Sequence, residues 1–306
     1  MARLAVGQVG APPAPPPLVD NHQHLFSPDL AKLIGVDGID ADKLTALLDS
    51  AGIRRALILS VAYSWSNPSR AVANDYDHVR AENDWVAAQV ARYPDRLRAF
   101  CSINQLSDYA LAELDRCSKN PLLAAGLKLH FGNSAVDYHN PQHRARCREV
   151  FHAANEHHMA IVIHMRASIS RRLPYGRTEA QIFIDSILPS AADVSVQIAH
   201  LAGSGGYDST TDNALSAFVD LIARLDPRAK HLWFDVTTVD RSDRPDDLRL
   251  IASRIHQLGV ERVLFGSDAA TGGNLAPREA WAEFHKVPLT EHEFRTIANN
   301  VAPYMR

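Results

Sequence analysis

The sequence lacks the features that define several large classes of protein. No apolar run reaches the roughly 18 residues that a membrane-spanning helix requires, and residues 1–9 contain no signal-peptide hydrophobic core. The net charge is only −3, from 32 basic and 35 acidic residues spread along the chain, so no basic surface for nucleic acid is indicated. We therefore expect a cytoplasmic protein that binds a small molecule and has neither a membrane nor a nucleic acid as its partner.

Cysteine is also scarce. The three cysteines, Cys101, Cys117 and Cys147, are far apart in the chain, and none belongs to a Cys-x-x-Cys pair. This pattern argues against a disulfide scaffold and against a zinc finger. We expect three free thiols in a reducing compartment.

The chain contains one low-complexity segment, which lies near its start. Residues 11–17 read Ala-Pro-Pro-Ala-Pro-Pro-Pro, a run that favours an extended polyproline arm. We therefore predict a proline-rich N-terminal arm over residues 1–17 and one domain over residues 18–306. The hydrophobic fraction of 46% and the charged fraction of 22% are those of a globular protein.

Short apolar runs alternate with helix-like segments along the predicted domain. The runs are rich in Val, Ile, Leu and Phe, as strands buried on both faces should be. We predict strands over residues 19–26, 55–62, 97–103, 125–131, 160–166, 194–201, 231–239 and 262–268. We predict helices over residues 42–51, 83–93, 107–117, 141–158, 178–187, 212–225, 245–258 and 291–304.

Eight alternating strand–helix units predict an α/β fold, a single-domain (β/α)₈ TIM barrel. A doubly wound sheet is the alternative. It is less favoured because neither a G-x-G-x-x-G nor a G-x-x-x-x-G-K-[ST] motif is present. In a barrel of this kind the chemistry takes place at the carboxyl ends of the strands.

Polar side chains stand at these strand ends. The first predicted strand runs into Asp20-Asn21-His22-Gln23-His24, and alternation along a strand puts His22 and His24 on one face. The other reactive residues that end an apolar run are Lys128, His130, His164, Arg166, His200 and Asp268. Several imidazoles with one carboxylate suit Zn²⁺ or a similar first-row ion. The pattern therefore predicts a metal site at the mouth of the barrel.

In this order the motifs resemble the amidohydrolase superfamily, and most closely its amidohydrolase-related branch of metal-dependent hydrolases and decarboxylases. The resemblance spans residues 19 to about 304. It is carried by Asp20-x-His22-x-His24, Gly126-Leu-Lys128-Leu-His130, His164, Ala199-His200-Leu-Ala-Gly203, Phe234-Asp235, Phe265-Gly266-Ser267-Asp268 and Asn300-Val301-Ala302.

The resemblance implies one or two divalent ions and a homodimer. A single ion is favoured here, and it is expected to be Zn²⁺ rather than Mn²⁺. Its implied ligands are His22, His24, His164 and Asp268. His200 would bind a second ion or act beside the first. Lys128 would be a carboxylated bridge if there were two ions. Otherwise it would be a barrel residue paired with Asp235 or Asp268.

The predicted function is hydrolysis of a carboxylic ester, lactone or amide by a metal-activated water. Asp268 would take a proton from this water, and His200 would polarise the carbonyl of the substrate. Arg166 would clamp a substrate carboxylate. The other candidate substrate contacts are His130, Trp65, Tyr63 and Asn104.

Two alternatives stay open at this point. The first is a metal-dependent decarboxylase of a small, for example aromatic, carboxylic acid, because the same ligands serve both reactions. The second is a non-catalytic binding barrel, which is less favoured because no residue of the ligand set is missing.

Overall fold

The structure, a computed structural model, describes residues 14–70, 72–240 and 244–306. Eight parallel strands form one sheet in the sequential order β1 to β8. Two backbone hydrogen bonds of 2.9 Å, from Asn21 N to Phe265 O and from Asp268 N to His22 O, connect β8 back to β1. The predicted (β/α)₈ barrel is confirmed.

The strands and helices alternate along the described chain. The strands are β1 Val19–Gln23, β2 Arg55–Leu59, β3 Leu97–Ser102, β4 Gly126–His130, β5 Ala160–His164, β6 Val196–Ile198, β7 Leu232–Asp235 and β8 Val263–Leu264. The helices are α1 Pro28–Ile34, α2 Ala41–Ala51, α3 Asp75–Ala91, α4 Ala110–Ser118, α5 Pro141–Glu156, α6 Arg177–Ser186, α7 Ser209–Ala223, α8 Pro245–Leu258, α9 Pro277–Phe284 and α10 Glu291–Asn299.

All eight predicted strands are present, although each is shorter than predicted. Helices α1 and α9 were not predicted, because seven or eight residues are too few to show a helical period. Helix α10 ends at Asn299 rather than at residue 304. There the backbone of Asn300 becomes extended, and its side-chain amide donates to Val260 O and Val263 O.

Apolar side chains form two cores in the barrel and a third cluster around α1 and the 3₁₀ turn after β2. The larger core lies between the strands and the surrounding helices. The smaller one fills the barrel interior and includes Leu57, Phe100 and Val162. Tyr304 and Met305, which we call the plug, join this inner core from a 3₁₀ turn. The plug therefore packs against the inner faces of the strands.

The expectation of three free thiols is wrong. Cys101 on β3 and Cys117 on α4 are joined by a disulfide, with their Cα atoms 6.2 Å apart, and only Cys147 is free among the cysteines. Cys101 belongs to the outer core and Cys117 lies on the buried face of α4, so the packing of α4 on β3 brings the two sulfurs together. Spacing along the sequence does not show this contact.

The predicted N-terminal arm can be followed only in part. Its residues 1–13 lie outside the described residues. Ala14 donates its backbone N–H to Glu291 of α10 at 2.8 Å, and Pro16 packs beside Gly52 at the end of α2. Among the described residues, no helix is long and apolar enough to cross a membrane.

Candidate metal centre

A β-bulge in β1 turns its two histidines into the barrel. Val19 lies in the inner core, so strict alternation would direct the side chains of residues 21 and 23 inward. The register with β2 shifts between Asp20 and Gln23, which inserts one extra residue into β1. His22 and His24 therefore face the interior, where their ring centroids lie 5.2 Å apart.

The start of the loop after β8 approaches His22 closely. A Cβ atom added to Gly266 would lie 2.6 Å from the Cβ of His22 and 2.3 Å from Thr237 Oγ1, so only glycine fits there. Two residues later Asp268 adopts a left-handed backbone (φ 53°). Thr271 Oγ1 donates to Asp268 Oδ1 at 2.6 Å, which orients the carboxylate. A non-glycine residue in this conformation costs about 1–3 kcal/mol, so the surrounding structure must hold it in place.

The hydrogen bonds that His22 and His24 make through Nδ1 leave the Nε2 atom of each ring without a proton. His22 Nδ1 donates to Asp235 Oδ2 at 3.1 Å, and His24 Nδ1 donates to the backbone O of Leu59 at 2.6 Å. Both acceptors lack a proton, so each neutral ring carries its hydrogen on Nδ1. The lone pair on each Nε2 is then available to a metal ion, in the usual arrangement of metal-binding histidines.

Three of the four predicted ligands come together. One ligand atom each of His22, His24 and Asp268 lies within 4.8 Å of the other two, and all three residues are buried. Burial lowers the pKa of His22 to about 3 and that of His24 to about 4, so both rings are neutral at pH 7. Burial alone would raise the pKa of Asp268, but its histidine neighbours outweigh it and lower the pKa. Two neutral imidazoles and one carboxylate fit a divalent first-row cation.

Asp235 anchors this cluster from below. It is fully buried and accepts four hydrogen bonds: Oδ2 from His22 Nδ1 and Gln197 Nε2, and Oδ1 from the backbone N–H groups of His200 and Thr237. Burial opposes its ionisation, but the interaction with His22 and the hydrogen bonds that the carboxylate accepts keep its pKa well below the usual range. The sequence marked Asp235 as a landmark of β7 but did not show that it positions two histidines.

His200 has a strained backbone and a fixed tautomer. Its φ is 54°, and its Nδ1 donates to the backbone O of Thr237 at 2.9 Å. Its ring centroid lies 4.7 Å from that of His22 and 5.1 Å from that of His164. With its proton on Nδ1, the ring presents Nε2 as an acceptor next to the ligand group.

His164 and His130 form a stacked pair beside His200. Their ring centroids lie 3.9 Å apart, and His164 is not within the 4.8 Å ligand group. Burial holds the pKa of both rings well below the usual value, so they are neutral at pH 7. His130 Nδ1 accepts the backbone N–H of Asn133 at 3.0 Å, which leaves its proton on Nε2. His130 is therefore a hydrogen-bond donor.

Lys128 lies deep in the centre. Its Nζ is 3.4 Å from His22 Nε2, and only 1% of the residue is exposed. Within the described residues, no carboxylate oxygen lies within ion-pair distance of Nζ. Burial lowers the pKa of Lys128 to about 8, against the opposing charges of Asp235 and Asp268. A neutral amine is therefore accessible near physiological pH.

The predicted substrate contacts fall into two groups. Tyr63 lies against the ring of His130, with the centroids 5.1 Å apart, and Trp65 stacks on His78 at 4.3 Å. The other two candidates are engaged in bonds within the protein. Arg166 forms a two-point ion pair with Asp208, at 3.0 and 2.9 Å. Asn104 donates to Ser66 O and accepts from Leu106 N.

Two loops meet above the cluster. Arg171, in the loop after β5, donates to Ser69 Oγ, in the loop after β2, at 3.2 Å. Arg70, Arg171 and Arg172 are exposed, and we call them the arginine rim. In the described part of the chain, none of the three is paired with a carboxylate. The loops after β2 and β5 therefore present three exposed positive charges.

Comparison with known proteins agrees with this architecture. A family model described as Amidohydrolase matches residues 19–300. The structure of 5-carboxyvanillate decarboxylase from Sphingomonas paucimobilis is similar with a TM-score of 0.65 and 18% identity, over 95% of this chain and 99% of that one. No curated protein matches the sequence.

Two further structures share the fold. A probable 2-pyrone-4,6-dicarboxylic acid hydrolase from Acinetobacter baumannii, with citric acid bound, has a TM-score of 0.60 and 16% identity, over 92% of this chain and 95% of that one. A 5-carboxyvanillate decarboxylase from Novosphingobium aromaticivorans, with bound manganese, has a TM-score of 0.59 and 12% identity, over 94% and 97%. The barrel is thus shared with enzymes of both kinds.

Proposed function

The chain belongs to the amidohydrolase family, whose structural relatives include hydrolases and decarboxylases, and from that premise we propose that it is a metal-dependent hydrolase of a carboxylic ester, lactone or amide. One observation carries this proposal. Two proton acceptors, the Asp268 carboxylate and His200 Nε2, stand beside the unprotonated Nε2 atoms of His22 and His24. Hydrolysis needs acceptors at that place, because the attacking water has to lose a proton.

The proposed ligands of the metal are His22, His24 and Asp268, with His164 as the fourth. When bound, a divalent ion supplies a Lewis acid that polarises a carbonyl and lowers the pKa of water. We favour one Zn²⁺ per chain. Mn²⁺ is the alternative, supported by the manganese in the Novosphingobium enzyme. A carboxylated Lys128 bridging two ions is favoured less, although its lowered pKa makes the free amine accessible.

The tautomers of His200 and His130 indicate a different role for each side chain. Asp268 takes the proton of the attacking water and passes it to the leaving group. His200, which has a lone pair rather than a proton at Nε2, assists as a second acceptor and does not polarise the carbonyl in its neutral form. His130 holds its proton at Nε2 and donates it in a hydrogen bond to an oxygen of the substrate, and Tyr63 closes that side of the site.

A decarboxylase is the second candidate, and the arginine rim favours it. Arg70, Arg171 and Arg172, which pair with no carboxylate among the described residues, would attract an anionic substrate such as a small carboxylic acid. Two of the similar structures are decarboxylases of an aromatic acid. Decarboxylation, however, requires a proton donor at the carbon that loses CO₂. The groups that stand beside the proposed histidine ligands, the Asp268 carboxylate and His200 Nε2, are acceptors when the proton of His200 is on Nδ1, and for this reason hydrolysis is placed first.

The deciding experiment combines metal analysis with a substrate panel. Metal per chain is measured by elemental mass spectrometry in untagged protein. Lactones, esters and amides with and without a free carboxylate are then compared with aromatic acids, with acid release and CO₂ release as separate readouts. We expect one ion per chain and acid release. CO₂ release alone would replace hydrolysis by decarboxylation, and an inactive chain without metal would refute both. Light scattering on the same sample tests the predicted homodimer.

A further inference from the structure

A chain of hydrogen bonds runs from the plug to the candidate metal centre. The hydroxyl of Tyr304 donates to Gln197 Oε1. Gln197 Nε2 donates to Asp235 Oδ2 at 2.6 Å and to the backbone O of Asn21 at 3.3 Å. Asp235 Oδ2 in turn accepts from His22 Nδ1 at 3.1 Å. Each of these side chains is buried in the barrel interior, where water does not compete for the bonds.

The direction of every bond in this chain is fixed. Asp235 and the backbone O of Asn21 can only accept, so the amide of Gln197 must turn its NH₂ group towards them. Its oxygen then faces Tyr304, whose hydroxyl has to donate. Asp235 is left with an acceptor for His22 Nδ1–H. The hydroxyl of Tyr304 therefore satisfies Gln197 Oε1 and supports the orientation of Gln197 in which Asp235 accepts from His22 Nδ1.

The plug is itself held in place by the strands. Arg55 Nη1 donates to Met305 O at 2.5 Å, and Arg98 Nη1 donates to Tyr304 O. The ring of Tyr304 packs edge-on against Phe100, with the centroids 5.1 Å apart. These contacts act on the backbone and on the ring, and they do not use the hydroxyl. Apolar packing would be served equally well by phenylalanine, so the hydroxyl needs a separate explanation.

We propose that Tyr304 is a positioning residue of the metal centre, acting through Gln197 and Asp235 to hold His22 in the tautomer that presents Nε2 to the metal. This inference rests on the proposed function only in taking His22 as a ligand. It assigns a role in the site to a segment at the opposite end of the barrel. A partner that bonds directly to a metal-binding histidine typically changes the metal affinity by 10- to 100-fold, and Tyr304 lies two side chains further out, so we expect the lower end of that range.

The test uses Tyr304→Phe, Gln197→Met and their double variant, with Met305→Leu as the matched control in the same plug. The dissociation constant for Zn²⁺ is measured by competition with a chromogenic chelator, and thermal unfolding is recorded alongside. We expect Tyr304→Phe to bind Zn²⁺ about 10-fold more weakly. The double variant should be no weaker than Gln197→Met alone, because both changes break one chain. Met305→Leu should bind within twofold of the unchanged protein.

A second readout does not depend on metal binding. Long-range ¹H–¹⁵N correlation spectra of the metal-free protein report the tautomer of His22. We expect Nδ1–H in the unchanged protein and in Met305→Leu, and a mixture of tautomers in Tyr304→Phe. An unchanged tautomer in Tyr304→Phe, or Zn²⁺ affinities that are multiplicative in the double variant, would overturn the proposal. If even the unchanged protein binds no Zn²⁺, the proposed function fails, and the tautomer alone decides the role of Tyr304.

Discussion

Asp235→Asn is the substitution whose effect can be worked out in most detail. The carboxylate accepts two hydrogen bonds at each oxygen, and the residue is fully buried. An asparagine of the same shape keeps one acceptor oxygen, which can still serve the backbone N–H groups of His200 and Thr237. Its NH₂ group would then face the donors of His22 and Gln197, so two donors would lose their acceptor.

The magnitude follows from these two lost bonds. A hydrogen bond to a charged group contributes about 1.5–3 kcal/mol, so the two together put the loss at about 3–6 kcal/mol. His22 can relieve one unpaired donor by moving its proton from Nδ1 to Nε2. The expected fall in the free energy of unfolding is therefore at the lower end, about 3 kcal/mol. The same shift of the proton occupies the lone pair that a metal would use, so Zn²⁺ affinity should fall by about 10- to 100-fold.

Guanidinium unfolding of the metal-free protein and chelator competition measure the two effects separately. Asp246→Asn is the control, since this carboxylate is 89% exposed on α8 and its ion pair with Arg249 contributes at most about 1 kcal/mol. If Asp235→Asn unfolds within 0.5 kcal/mol of the unchanged protein (about the limit for a neutral surface change) and binds Zn²⁺ equally well, the anchoring role of Asp235 is refuted.

Three further predictions follow from the site and the fold. Asp268→Asn should reduce kcat by about 10²–10⁴-fold while metal remains bound at saturating concentration, and retained turnover would contradict its role as the base. Thiol titration of the unfolded chain should count one thiol before reduction and three after it, because Cys101 and Cys117 are joined; three thiols from the start would show that no disulfide forms. Arg171→Gln should lower kcat/KM for a carboxylate-bearing substrate severalfold at low ionic strength and leave a neutral analogue unaffected, a difference that added salt should remove. Equal effects on both substrates would argue against charge attraction.

The order of strands and the polar residues at their ends could be predicted because both depend on local patterns. Buried parallel strands appear as apolar runs, and His22, His24 and Asp268 follow such runs directly. The inward direction of the two histidines depends on the bulge, which lies in a stretch without glycine or proline to mark it. The role of Asp235 could not be predicted either, because its partners come from β1, β6 and the turn after β6.

The position of Tyr304 could not be predicted from the sequence pattern either. The apolar pattern of residues 291–304 extends through the turn at Asn300, so the sequence predicts one continuous helix. The structure instead ends α10 at Asn299 and directs Tyr304 into the barrel. The hydrophobic period reports that a side chain is buried, but it does not report which of the two cores receives it. The disulfide between Cys101 and Cys117 escaped prediction for a related reason, since one cysteine is on a strand and the other on a helix.

The extra residue in β1 also determines which changes of length the chain can tolerate. Loops usually accept an insertion or deletion, because the strands on either side keep their pairing. Deleting Asn21 would remove the extra residue and restore strict alternation, and His22 and His24 would still face the interior. Deleting Gln23 would instead make the two histidines consecutive, so they would point to opposite faces of the strand and the metal centre would be lost from a folded barrel. A library of single-residue deletions across β1 should therefore separate folding from metal binding in one short stretch of sequence.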